Sequence, residues 1–223
     1  MTGETVGRLT AASGLAAAVL VAAGGLLAPG DAPGFDALPE QVVRWTLDGR
    51  RRLLVSSVVV ALGLSLFVVF YAGLRAMVAR AEGPPALLAT VAYASFLVVV
   101  SLALVGVVLA QVQAFAVLDG DPDVVRTLHE ARYLTINLSA APTIVSAGAF
   151  AVVMVRTGFP ARWLGWGSGL VGLAHVPALL ALARTGAAAP NGSLAQLGPL
   201  VFLLWVVCVS IALLVGRREL PVH

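Results

Sequence analysis

Six stretches of the chain contain no Asp, Glu, Lys or Arg: Leu9–Ala28, Leu53–Leu74, Ala86–Ala110, Leu134–Val155, Trp163–Ala183 and Leu197–Val215. A hydrocarbon core roughly 30 Å thick takes about 20 residues of helix to cross, and every stretch is near that length. Backbone polar groups in hydrocarbon must pair within their own segment, so such runs are helices. Strand-like alternation is absent from them, which argues against a barrel. The pattern predicts an all-α fold: one domain over residues 1–223, a polytopic membrane protein with six transmembrane helices in a bundle.

Turn residues punctuate the runs. Pro29, Gly30, Pro33 and Gly34 end the first helix, and Gly83, Pro84 and Pro85 separate the second from the third. Gly186–Ser193 reads as a flexible turn. Between Leu38 and Gly49 there is room for a short interfacial helix anchored by Trp45. Pro142 should kink the fourth span near its middle. The first run has the basic start of a signal peptide at Arg8, but its apolar stretch outlasts a signal core of about 7–15 residues. It is therefore expected to stay as a span. No internal repeat suggests an inverted-repeat transporter.

Composition strengthens this picture. Of 223 residues, 60% are hydrophobic and 11% charged, with a mean hydropathy of +0.98, whereas soluble domains carry about 25% charged residues. Lipid must be the solvent for much of this surface. All 14 basic residues are arginine. Without lysine there is no Schiff-base chemistry, which excludes retinal pigments and aldolase-type catalysis. The single Cys208 has no intrachain partner and reads as a small buried hydrophobe. A net charge of +3 with scattered arginines offers nothing to nucleic acid.

Orientation rests on the loops. With the N-terminus cytoplasmic, Arg8, Arg75, Arg80, Arg156, Arg162, Arg217 and Arg218 lie inside, and seven other arginines lie outside. The balance does not decide the matter by the positive-inside rule. The two shortest connections, Arg75–Arg80 and Arg156–Arg162, favour both termini in the cytoplasm and a plasma-membrane location.

The run RTGFPARWLGWGSGLVG, Arg156–Gly172, and the segment FVVFYAGLRAMVAR within Leu66–Arg80 carry a resemblance. They resemble uncharacterised six-helix integral membrane proteins of high-GC bacteria, a domain-of-unknown-function family. In that group a short basic turn, a proline and an Arg-Trp-Leu-Gly sequence open the fifth helix. The resemblance implies the helix count and layout, and no activity or catalytic residue. Physically, Pro160 suits a helix start, and Arg162, Trp163 and Trp166 suit a membrane interface.

Polar residues in and near the spans are the candidate site. On the fourth span Arg132, Thr135, Ser139, Pro142, Thr143 and Ser146 fall within an arc of about 80°. This stripe either lines a solute path or, as the favoured reading, bonds to neighbouring backbones and lets helices approach. At its mouth His129, Glu130, Arg132, Tyr133 and Asn137 cluster. With Arg50, Arg51 and Arg52 they could hold an anionic head group, although a solvated helix end with local ion pairs is the preferred account. His175 is an ionisable group inside a span, a functional candidate by default. Pairing it with His129 as haem ligands is the least favoured option, because the two lie at different depths. Asp119–Glu130 imitates a calcium loop, but Val124 replaces the turn glycine and Pro122 stiffens it. Asp121 reads better as a helix cap.

No Ser/His/Asp set, metal-ligand cluster or phosphate-cradling motif occurs within the spans. The expectation is a non-enzymatic binding or accessory protein without a cofactor, acting on a protein partner, lipid or small ligand. The alternative is a small-solute transporter or channel using the fourth-helix stripe, and the third reading is an intramembrane haem protein. Expected partners are membrane lipid and another membrane protein or a homo-oligomer.

Overall fold

The computed structural model describes residues 3–215; Arg217 and Arg218, counted above toward the orientation, lie outside them. The helical segments are α1 (Gly3–Leu27), α2 (Pro39–Glu82), α3 (Leu87–Ala116), α4 (Pro122–Leu138), α5 (Ala140–Thr157), α6 (Arg162–Leu179) and α7 (Ser193–Val215). The fold is all-α. Among the described residues five helices are long and apolar enough to cross a membrane: α1, α2, α3, the α4–α5 pair taken together, and α7. The 18-residue α6 is not among them, since Arg162, His175, Pro177 and four glycines dilute its apolar content.

The fourth predicted span is α4 and α5, interrupted at Ser139. Proline lacks an N–H, and its ring collides with the carbonyl four residues back. Pro142 therefore breaks the ladder at Leu138–Ser139, a turn earlier than Pro142 itself.

No separate interfacial helix forms between Leu38 and Gly49, because this segment is the first part of α2. At 44 residues α2 is about 66 Å long, some twice the hydrocarbon thickness. The buried series Val42, Thr46, Gly49, Leu53 and Ser56 continues one face across Asp48 and Arg50–Arg52. Asp48, Arg51 and Arg52 are exposed off that face, and charges so placed do not interrupt a helix whose packed face is continuous.

Each helix packs on its neighbour in the order α1, α2, α3, α5, α6, α7, and α7 returns to α1. The result is a closed ring, with α4 continuing α5 along α3 and touching the overhang of α2. We call the end holding the α2 and α7 N-termini the cap end, and the opposite one the base end. Small residues make the seams close. The Ser56 hydroxyl donates to the Gly24 carbonyl at 2.7 Å, joining α2 to α1. In the sequence Gly165, Gly169 and Gly172 recur at helical spacing on one face of α6, a small-residue pattern, and that face is a helix contact. A Cβ added at Gly165 would lie 2.9 Å from the Val155 nitrogen, and Gly169 and Gly172 also face α5.

Ends of helices leave backbone groups without intrahelical partners. At the base end the Glu82 carboxylate accepts from the Leu88 and Ala89 N–H groups, at 3.0 and 2.9 Å, and caps α3. At the cap end Arg50 donates to the Ala114 carbonyl (2.7 Å), while Arg52 donates to Leu27 and Ala28 (both 3.2 Å). Two of the three arginines assigned above to a head-group site thus cap the C-termini of α3 and α1, where the helix dipole favours a cation.

An aromatic plug fills the base half of the ring. Tyr71 stacks on Phe96 at 3.4 Å between centroids, flanked by Phe150 and, behind it, Trp205. Phe67, Phe96 and Phe202 contact one another above it.

Candidate functional site: a cavity in the helix ring

Above the plug the ring is hollow. A cavity of about 440 Å³ runs from Ala28, Ala110 and Ala195 near the cap end down to Phe67, Phe96 and Phe202. Along α2 it spans Ser56 to Phe67, roughly 16 Å of helix. Its size falls within the range of small-ligand pockets, roughly 300–1,000 Å³. Every ring helix contributes to the wall, which is mostly valine, alanine, leucine and phenylalanine.

Six of the predicted residues meet there: Arg132, Tyr133, Asn137, Ser139, Thr143 and His175. The other four lie elsewhere. Thr135 is half-buried and off the wall. Ser146 donates across to the Ala92 carbonyl of α3 at 2.8 Å, the interhelical role favoured for the stripe. Glu130 pairs with Arg126 at 2.8 Å. His129 is fully buried beneath the α2 overhang.

The stripe is less available to solutes than its residue types suggest. Ser139 donates to the Ile136 carbonyl (2.6 Å) and Thr143 to that of Ser139 (2.7 Å), both within the same α4–α5 segment. These bonds occupy backbone acceptors around the Pro142 break. The Asn137 amide donates to the Pro190 carbonyl at 2.9 Å, and Asn191 to Pro33 at 2.9 Å. The segment 186–193, expected to be a flexible turn, is therefore tied to α4 and to the first loop.

Arg132 differs from these. Its Nη1 is buried and has no hydrogen-bond partner among the described residues. Among the described residues no carboxylate lines the cavity. The guanidinium carbon lies 5.2 Å from the Tyr133 ring centroid, an attractive cation–π contact that still leaves the Nη1 hydrogens without an acceptor.

His175 faces into the bundle, as its burial cost requires. A polar partner on a neighbouring helix would be expected for such a group, but Nδ1 instead donates to the Val171 carbonyl one turn back in its own helix, at 2.8 Å. The ring lies against Gly198 of α7, where a Cβ would come within 2.9 Å of it. With Nδ1 protonated, Nε2 carries the lone pair, in a ring that lines the cavity.

The solvated helix end expected around His129 is instead a second core. His129 Nε2 donates to the Pro33 carbonyl at 3.0 Å. Its Nδ1 accepts from Gln113 over a long 3.5 Å, and Gln113 also donates to Thr46 Oγ1 at 2.8 Å. Trp45 and Tyr133 meet the imidazole edge-on. Both ring nitrogens are engaged, so the imidazole fits this site as the neutral ring and presents no lone pair to a haem iron. Gln113, Thr46 and Asn191 were missed by the sequence reading. The one available signal was Gln113 itself, an amide in the apolar sequence LAQVQAFA.

The calcium-loop imitation also resolves. Asp121 Oδ1 accepts from the Asp123 N–H at 2.8 Å, a helix cap. From Pro122 onward the chain is helical, so Glu130 stands about 13 Å along the axis from Asp121 and cannot close a loop around one ion. Among the described residues no group of three or more His, Cys, Asp or Glu converges.

No protein-family model, curated protein or solved structure matches this chain.

Proposed function

We propose that this chain is a multi-pass protein of the plasma membrane that holds a lipid or other small amphiphile inside its helix ring without transforming it. The observation that carries the reading is the cavity, apolar on most of its wall and bounded below by aromatic rings. Large apolar side chains such as Val19, Leu62, Val105, Leu173 and Leu204 are exposed around the outside, a surface suited to acyl chains. Both termini are cytoplasmic in this proposal, with the basic turns at the base end inside and the cap end outside. The two shortest connections, Arg75–Arg80 and Arg156–Arg162, support this orientation, and the helix count agrees with the resemblance to the six-helix membrane family. Transport along the α4–α5 stripe ranks second, since a solute would have to pass the plug beneath Phe67 and Phe96.

Native mass spectrometry of protein extracted in mild detergent tests the proposal. We expect a bound small molecule on the wild type and its loss in Ala103→Trp, whose indole would fill the middle of the cavity. Retention of the same adduct by a folded Ala103→Trp protein would place the ligand elsewhere.

A further inference from the structure

Arg132 identifies the ligand's head. A guanidinium stays charged at any physiological pH and carries five N–H donors. Burying such a charge is unfavourable unless a counter-charge and hydrogen bonds meet it. Three other arginines of the cap end have partners, Arg126 in Glu130 and Arg50 and Arg52 in helix C-termini, while Arg44, Arg51 and Arg184 are exposed to the surroundings. Arg132 has a buried nitrogen with no partner among the described residues, on a cavity wall without a carboxylate. The hydroxyls of Ser139 and Thr143 already donate to backbone, as does the Asn137 amide. Arg132 is thus the cationic donor of the wall. Its own carbonyl lies beside Gly106 of α3, and Phe96 is ten residues, about 15 Å, further down that helix. This depth between a cationic group and an aromatic floor fits a head and a tail.

We propose that the cavity takes an oxyanion-headed amphiphile, its carboxylate or phosphate paired with Arg132 and its tail directed toward Phe67, Phe96 and Phe202. The assignment rests on the ligand-holding reading above. An oxyanion matches the guanidinium fork and forms charge-assisted bonds, whereas an ammonium head would meet an uncompensated like charge.

The test uses the full chain in nanodiscs of zwitterionic phosphatidylcholine, titrated with dodecanoate, dodecyl phosphate, dodecanol and dodecylammonium. Thermal stabilisation is read for all four, and [1-13C]dodecanoate binding by its carboxyl resonance. Both anions should stabilise the wild type and dodecylammonium should not. The ratio between the anions separates a fatty-acid-like from a phospholipid-like source. Arg132→Gln should weaken dodecanoate about tenfold or more while leaving dodecanol unchanged. Arg126→Gln, away from the cavity, should change neither. Dodecanol binding as tightly as dodecanoate, or dodecanoate affinity unmoved by Arg132→Gln, overturns the head-group assignment and leaves the ligand-holding reading standing. Absence of binding by every amphiphile overturns both. If Arg132→Gln fails to fold, the head-group series on the wild type decides alone.

Discussion

Gly165→Leu should leave no folded protein, and Gly165→Ala should lose about 3 kcal/mol. The reason is backbone proximity. A Cβ at Gly165 would stand 2.9 Å from the Val155 nitrogen and 3.0 Å from the Met154 Cβ. Neither atom is the end of a flexible side chain, so α5 and α6 would have to separate. Overpacking of a close contact costs about 1–3 kcal/mol, and here it opens a seam of the ring. Gly169 is the internal control on the same face. Its nearest neighbour, the Ala151 Cβ, is 3.9 Å away, so Gly169→Ala should be neutral or gain up to about 1 kcal/mol from helix propensity. Chemical or thermal unfolding in detergent, followed by tryptophan fluorescence, compares the three. Equal tolerance of alanine at both positions would mean that α5 and α6 are not in contact as described.

That contrast also marks how far the sequence could be read. The face formed by Gly165, Gly169 and Gly172 was visible as a small-residue pattern, but the pattern cannot say which of the three touches backbone. Similarly, the absence of charge from six runs was enough to find the helices. It misplaced the start of α2, because Asp48 and Arg50–Arg52 resemble a membrane boundary while the buried series from Val42 to Leu53 carries the helix through them. The break at Ser139 was displaced from Pro142 by the geometry of the lost hydrogen bond. Closure of the ring, α7 against α1, was invisible. Helices apolar on all sides carry little directional pattern. Of the candidate site, the residue types on α4 were legible, but their roles were not. Ser139 and Thr143 turn to their own backbone, and His129 is buried only because the α2 overhang covers it.

His129→Ala should destabilise the protein by about 3 kcal/mol, the second-largest effect we expect. The imidazole is fully buried between Trp45, Tyr133 and Gln113. Its removal leaves a void and an unmet Gln113 amide donor, and an orphaned buried polar group costs about 1–3 kcal/mol beyond the packing loss. Gln113 Oε1 already lacks a partner among the described residues, so the pocket has no slack to absorb another. The Pro33 carbonyl keeps Asn191 as a donor. Replacing both polar partners should therefore recover stability: His129→Leu with Gln113→Leu should be more stable than His129→Leu alone. Unfolding free energies of the single and double variants measure this coupling. Simple additivity would indicate that the two side chains do not interact.

The hollow cap half and filled base half of the ring are tested most directly by cysteine reactivity along α3. On a Cys208→Ala background, single cysteines replace Ala103 and Val107, which line the cavity, and Ala89 and Ala92, which are buried below Phe96. A fifth replaces Val105 on the outer wall. Reaction with N-ethylmaleimide requires thiolate, hence access to water or a polar cavity. The account predicts rapid modification at 103 and 107, and little at 89, 92 and 105 in lipid nanodiscs. Modification at 92 as fast as at 103 would reveal a path through the ring, and silence at both 103 and 107 would mean that no such cavity exists.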